Sequence, residues 1–219
     1  KFSKDTPRNA EINLDLVHKI FDVAIQDFDA IKQVKQFCMD YCTISNVEMF
    51  NKYGFTVCSK YSFAIVFPEL SKFIDVNRND NTEKKTLLYT ACEENCPEKV
   101  AALLAIDDID VNKPCVKGRT PLWKASADDF VDIVRLLIKA GGNVNHITTH
   151  ITLLSMRYRD VTNGTSPLFI ASQYNNVNTL KVLIRAGGNV NQVRTTDGAS
   201  PLFIASEKGN VDLVKGLIK

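Results

Sequence analysis

The most reactive side chains in this sequence belong to six cysteines and three histidines. Two cysteine pairs, Cys38/Cys42 and Cys92/Cys96, are four positions apart, a spacing that turns both side chains to one face of a helix. Structural zinc requires four ligands with a tight knuckle spacing, and the sequence contains no CxxC. The even cysteine count leaves disulfides as the alternative, but the spacing is irregular and the apolar content is sufficient for a core without them. We therefore predict reduced, buried thiols in a cytosolic compartment, with no metal site and no cofactor.

The sequence also shows no clear set of catalytic residues. Residues 1–77 contain no recognisable nucleophile, base and orienting group, no phosphate-binding loop and no paired-carboxylate signature. His18, on the first predicted helix, is interpreted as a surface or core-edge residue. We predict that the chain is not an enzyme.

The composition is typical of a soluble folded protein, with 45% hydrophobic and 24% charged residues. A net charge of +2 gives no reason to expect nucleic-acid or membrane binding, and no apolar run is long enough to cross a bilayer. We expect a cytoplasmic or nuclear protein. Because the sequence starts at Lys1 rather than at Met and stops at Lys219 in the middle of an apolar helical pattern, we interpret the chain as part of a longer protein.

A repeated phrase organises the second half of the chain. The heptapeptide SPLFIAS occurs at 166–172 and again at 200–206, which is 34 positions later (200 minus 166). Thr86 and Thr120 are also 34 positions apart and begin related segments. A period in the low thirties predicts a solenoid of stacked units. We place four units at about residues 79–112, 113–145, 163–191 and 192–219.

The sequence of each unit predicts two helices. Thr120 and its counterparts Ser166 and Ser200 precede a proline, so the hydroxyl can cap a helix that begins at that proline. A second helix follows with a broad apolar stripe, and the pair Gly141-Gly142 ends it because glycine adopts the left-handed conformation without penalty.

The repeated phrases resemble a known family. GRTPLWKAS, GTSPLFIAS and GASPLFIAS resemble the ankyrin consensus around Thr-Pro-Leu-His, and AGGNVN resembles its Gly-Ala-Asp-Val-Asn turn. The resemblance implies an all-α ankyrin-repeat solenoid with β-hairpin turns over residues 78–219. Aromatic residues replace the consensus histidine, and we interpret them as a core layer packed between repeats: Tyr89, Trp123, Phe169 and Phe203.

Residues 1–77 predict a helical N-terminal region, since apolar residues recur every four positions from Ile12 to Phe28. We interpret this region as a cap of the solenoid or as a degenerate repeat near residues 53–77. A separate activity is the alternative. In one form of it, residues 9–52 are an F-box-like ubiquitin-ligase adaptor, although the Leu-Pro opening of that family is missing.

One turn is longer than the others. From the turn asparagine to the next glycine there are 6 positions at Asn112 and 7 at Asn191, but 19 at Asn145. Apolar and polar residues alternate within residues 146–162, a pattern typical of strands. We predict an elongated β-hairpin finger that binds a partner; a passive insertion lying over a neighbouring turn is the alternative.

The predicted partner-binding residues lie on three surfaces. Exposed side chains of the finger are of types common in interface cores: Ile151, Leu154, Met156, Arg157, Tyr158 and Arg159. The turns on either side of it add Lys117, Arg119 and Arg194. The inner helices should present Lys124, Asp128, Gln173, Tyr174, Glu207 and Lys208 to the concave face. The basic row of the finger and turns suits an acidic protein surface better than RNA, because no aromatic stacking platform accompanies it.

The resemblance also implies a modification. Ankyrin turn asparagines that follow a leucine by eight residues resemble substrates of asparaginyl hydroxylase, and that spacing occurs at Asn112, Asn145 and Asn191. The alternative is that these side chains satisfy backbone groups of their turns.

We therefore predict a protein–protein interaction module that uses its concave face and its finger. Its Asn-, Lys- and Ile-rich composition is typical of an AT-rich genome. Proteins that resemble it in having ankyrin repeats are common in intracellular bacteria, protists and large viruses, where they often act on host proteins, so an effector in the host cytosol is one form of this expectation. The alternative from another class is a targeting domain of a larger enzyme whose catalytic part lies outside residues 1–219.

Overall fold

The computed structural model describes residues 76–77, 83–149 and 162–218. The chain divides into two compact units, Lys1–Ile74 and Asp75–Lys219, and the described residues belong to the second. The predicted N-terminal helices and the predicted strands of the finger lie outside the described residues.

The described residues form eight α-helices in four consecutive pairs. The first pair is α1 (Leu87–Glu93) and α2 (Pro97–Leu104), and the second is α3 (Pro121–Ala127) and α4 (Val131–Lys139). The third is α5 (Pro167–Gln173) and α6 (Val177–Arg185), and the fourth is α7 (Pro201–Glu207) and α8 (Val211–Leu217). The odd-numbered helices pack in one layer and the even-numbered helices in another, each against its equivalents in the adjoining pairs. This two-layer array is the predicted solenoid.

Side-chain caps start the first helix of every pair. Thr86, Thr120, Ser166 and Ser200 each accept a hydrogen bond from the backbone N–H three residues later, at 3.0–3.2 Å. Proline is the first residue of α3, α5 and α7, where a missing N–H costs nothing. The predicted helix starts are confirmed.

The turn between the two helices of a pair depends on a residue in the left-handed conformation. Asn95, Asp129, Asn175 and Gly209 have φ between 49° and 71°. Asparagine, aspartate and glycine tolerate this conformation best, which explains their recurrence after each first helix. The second helices then bury their apolar stripe, as Ile133, Val134 and Leu137 do in α4.

The predicted aromatic layer forms in three of the four repeats. Tyr89, Trp123 and Phe169 are buried between successive repeats, and the Trp123 indole donates a hydrogen bond to Thr165 Oγ1 at 3.0 Å. Phe203 is 59% exposed, so the prediction that it belongs to the core is wrong. The reason is that the layer is built between neighbours, and no further described repeat packs on α7.

A ladder of asparagine side chains joins consecutive turns. The Asn112 amide donates to Gly141 O at 3.1 Å and its oxygen accepts from Asn143 N at 2.7 Å. The Asn145 amide similarly donates to Gly187 O at 3.2 Å, and its oxygen accepts from Asn189 N at 2.7 Å. These side chains therefore cross-link repeats in addition to shaping their own turns.

Replacing Asn145 with alanine is expected to destabilise the unit by about 1–3 kcal/mol, because two hydrogen bonds between repeats disappear. Asn191→Ala is the matched control. Asn191 occupies the same position one repeat later, but its side chain has no hydrogen bond to any described residue, so its loss should cost much less. Urea unfolding followed by circular dichroism measures both effects. Equal shifts in the two midpoints would show that the cross-link contributes nothing.

Candidate functional site

A groove of about 580 Å³ lies over helices α1 and α3 and the turn that joins the first and second repeats. Lys85 lines it just before α1, and Lys117 and Arg119 line it from the turn. Lys124 of α3 and Tyr174, just after α5, also contribute to the walls. The groove thus draws side chains from three repeats.

A chain of ion pairs crosses this groove. Lys85 Nζ lies 2.5 Å from Glu83 and 2.8 Å from Glu93, and Lys124 Nζ lies 3.7 Å from Glu93 and 3.0 Å from Asp128. A hydrogen bond from Lys85, with its positive charge, lowers the pKa of Glu83. Partial burial alone would lower the pKa of Lys85, but hydrogen bonds with Glu83 and Glu93 raise it overall. The ion pairs hold the groove floor close to electrical neutrality.

The described part of the predicted basic row is therefore less basic than its sequence suggests. Arg194 donates to Asp197 through Nε at 2.9 Å, and its guanidinium lies 5.0 Å from the centre of the Phe169 ring. Of the predicted row, Lys117 forms no direct ion pair with a described residue.

Arg119 connects the groove to the long insertion. Its guanidinium lies 4.8 Å from the centre of the Trp123 ring, and its NH2 group donates to Thr162 Oγ1 at 2.6 Å. Thr162 belongs to the return segment of the insertion and also lines the groove. Arg119, one of the predicted partner contacts, is thus hydrogen-bonded to the base of the insertion.

The base of the insertion is closed by a buried threonine. Thr148 N donates to Thr165 O at 3.0 Å, and Gly164 N donates to Thr148 O at 2.9 Å. The Thr148 hydroxyl also donates to Thr162 O at 2.6 Å. These bonds hold the two ends of the insertion side by side.

The same pair of backbone bonds closes the short turns. Cys115 N donates to Arg119 O and Gly118 N donates to Cys115 O, at 3.0 and 2.9 Å. In the turn between the third and fourth repeats, Arg194 N donates to Ala199 O at 2.8 Å and Gly198 N donates to Arg194 O at 2.9 Å. Residues 146–148, which repeat spacing alone assigned to the finger, therefore belong to the regular framework, and the extra chain lies between Thr148 and Gly164.

The groove brings together five of the predicted partner-binding residues: Lys117, Arg119, Lys124, Asp128 and Tyr174. Gln173, Arg194, Glu207 and Lys208 do not line it, and the last two are exposed on the fourth repeat. The predicted contacts of the finger lie outside the described residues: Ile151, Leu154, Met156, Arg157, Tyr158 and Arg159.

Sequence reasoning missed Lys85 and Glu93, although repeat register identifies the first. Lys85 precedes Arg119 by 34 positions (119 minus 85). Both cations lie against the aromatic residue four positions later, Lys85 Nζ at 5.8 Å from the centre of the Tyr89 ring. Glu93 has no such counterpart, because alanine occupies the equivalent position 127 in the next repeat.

The cysteines of the described part do not form a chemical centre. Cys96 is the N-cap of α2, after the end of α1, so Cys92 and Cys96 do not share a helix face. Burial raises the pKa of the Cys92 thiol, which keeps it protonated and unreactive. Within the described residues, no group of three or more His, Cys, Asp or Glu side chains is arranged to hold a metal ion.

A family model described as ankyrin repeats, in three copies, matches residues 55–148 and 149–219, well over half of the chain. The chain belongs to the ankyrin-repeat family. Ankyrin repeats are non-catalytic modules that bind other proteins. The match begins at residue 55, ahead of the first repeat predicted from spacing. None of the ankyrin helices that the structure describes has the length and apolar character needed to span a bilayer.

The ankyrin turn asparagines differ in accessibility to a modifying enzyme. The side chains of Asn112 and Asn145 are held in the ladder, so hydroxylation there requires those hydrogen bonds to open. Asn191 is exposed, with no side-chain hydrogen bond to a described residue. Hydroxylation at the three positions stays a prediction.

Proposed function

We propose that this ankyrin-repeat unit binds a partner protein through the groove and the long insertion acting as one surface. The observation that carries the proposal is the position of Thr162. It is the first described residue of the insertion's return segment, it lines the groove, and it accepts the hydrogen bond from Arg119. A protein that contacts the groove wall therefore lies next to the insertion.

The closure of the turn supports a role for the insertion beyond stability. Thr148 and Gly164 make the backbone bonds that Cys115 and Gly118 make across a short turn. The regular stacking of repeats thus needs only a few residues at this position, and the additional chain is available for binding. Its sequence includes Leu154, Met156 and Tyr158, side-chain types that are enriched where proteins meet.

The test is affinity capture from a eukaryotic cell lysate, with mass spectrometry, using the full chain and a short-turn variant. In that variant, residues 149–163 are replaced with Thr-Thr-Asp, which is the sequence that naturally connects Arg194 to Gly198 in a short turn. We expect a melting temperature close to that of the wild type and a loss of the captured partner of at least about tenfold, because hot-spot side chains carry most of the affinity.

A second variant separates length from surface chemistry. It keeps the insertion at full length but carries serine at positions 151, 154, 156 and 158. Loss of capture in both variants supports direct contact by these side chains. A partner retained by both at the wild-type level would exclude a binding role for the insertion.

A further inference from the structure

The chemistry of the groove identifies the kind of segment that fits it. We infer that the groove receives an extended segment of the partner in which a carboxylate contacts Lys117 and a nearby apolar or aromatic side chain packs against Val116 and Tyr174. This inference rests on the proposed function and adds the partner's chemistry to it.

The charge requirement follows from which cations are already engaged. Lys85 and Lys124 form ion pairs with Glu83, Glu93 and Asp128, so an incoming anion would compete with existing partners. Arg119 is engaged as well, against Trp123 and Thr162.

Lys117 differs from these cations. It is partly exposed on the groove wall, and it forms no direct ion pair with a described residue. Its positive charge does act on Glu83 at longer range and contributes to lowering that carboxyl's pKa, but the direct partner of Glu83 is Lys85. A carboxylate can therefore reach Lys117 without displacing an ion pair. One carboxylate satisfies this site, and a dense negative charge would instead meet Glu83, Glu93 and Asp128.

The apolar requirement follows from which side chains are accessible. Tyr89 and Trp123 line the groove but are buried, so they support its floor and offer little surface to a partner. Val116 is 40% exposed and Tyr174 is 52% exposed, and both line the same groove. Tyrosine is enriched among residues that dominate binding energy, because it offers a large rigid surface together with a hydroxyl.

The size of the groove limits what enters it. About 580 Å³ is within the range of roughly 300–1,000 Å³ that encloses a small ligand, so a few side chains fill it and a folded domain does not. A protruding or extended peptide segment has the matching shape, with the rest of the partner contacting the insertion.

The experiment is selection of a phage-displayed random peptide library on the full chain, followed by titration of the enriched peptides. We expect an acidic residue within a few positions of Leu, Phe, Trp or Tyr in the enriched sequences. Lys117→Glu and Tyr174→Ala should each weaken a selected peptide by about tenfold. Exchanging the acidic residue of the peptide for lysine should restore binding to Lys117→Glu. Lys181→Glu, on the exposed side of α6, is the matched charge control and should leave affinity unchanged.

Each other outcome has a definite meaning. Peptides that lose affinity with Tyr174→Ala but ignore Lys117→Glu overturn the assigned carboxylate contact and leave the groove as a binding surface. Absence of enrichment, or peptides that bind every groove variant equally, overturns the inference altogether. The proposed function is judged separately, by capture with the short-turn variant. Lys117 and Tyr174 are surface residues, so both variants are expected to fold, and circular dichroism of each variant checks this.

Discussion

Replacing Phe169 with alanine is expected to destabilise the unit by about 3–5 kcal/mol, whereas Phe203→Ala should cost less than about 1 kcal/mol. The two phenylalanines occupy the same place in identical heptapeptides, so the change in helix propensity is the same for both. Phe169, on α5, is fully buried with the Arg194 guanidinium of the following turn over its ring, and Phe203 is 59% exposed. The difference between the variants therefore reports packing between repeats.

Urea denaturation of both variants, with ellipticity at the helix band, measures this difference. Because repeat arrays do not always unfold in one step, the first transition that involves the third repeat is the relevant one. Equal destabilisation by the two substitutions would mean that the aromatic layer is not what holds the repeats together.

Gly118→Ala is expected to have the second large effect, about 3 kcal/mol. Gly118 has φ +67°, and a Cβ at this position would lie 2.5 Å from Thr149 N and 2.6 Å from Thr149 O. Both atoms belong to the backbone at the start of the insertion, so relief requires the insertion to move. We therefore expect loss of partner capture even at temperatures where the variant remains folded.

Gly198→Ala is the control for backbone strain. Gly198 has φ +73° but nothing lies within 4 Å of the Cβ that alanine would add. Gly198→Ala should lower the free energy of unfolding only by the strain of the left-handed backbone, about 1–2 kcal/mol, and leave partner capture unchanged. Thermal melts and lysate capture test the pair. Identical losses for both glycines would show that contact with Thr149 is unimportant.

The elements that the sequence predicted correctly are those decided within a few residues. Thr120 and Ser166 cap helices because the hydroxyl and the N–H it accepts from are three positions apart. Gly141 and Gly187 end the second helices because their φ values, 90° and 87°, exclude most other residues. A local rule is sufficient in each case.

The exposure of Phe203 could not be predicted from such a local rule. Its heptapeptide is identical to the one around Phe169, so no property of the segment itself separates a buried ring from an exposed one. The difference depends on the adjoining repeat, which the heptapeptide does not specify.

The ion pairs of the groove illustrate the same limit. Lys124 pairs with Asp128 one helical turn away, and this spacing can be recognised in the sequence. Lys124 also pairs with Glu93 of the previous repeat, and the sequence does not reveal that contact. The neutral character of the floor follows from the second kind of contact. For that reason the sequence predicted a basic binding row, whereas in the structure Arg194 is paired with Asp197 and Arg119 is held against Trp123 and Thr162. Lys117 is the member of that row, within the described residues, that remains accessible without such a contact.

The most direct test of the groove as the binding surface is the dissociation constant of the captured partner, measured by calorimetry. Tyr174→Ala should weaken binding by at least about tenfold, because an exposed aromatic anchor is lost without disturbing the core. Lys181→Glu on the opposite helical layer should bind as the wild type does. If Tyr174→Ala and the short-turn variant both bind with wild-type affinity, the partner contacts a different surface and the assignment of the groove is wrong.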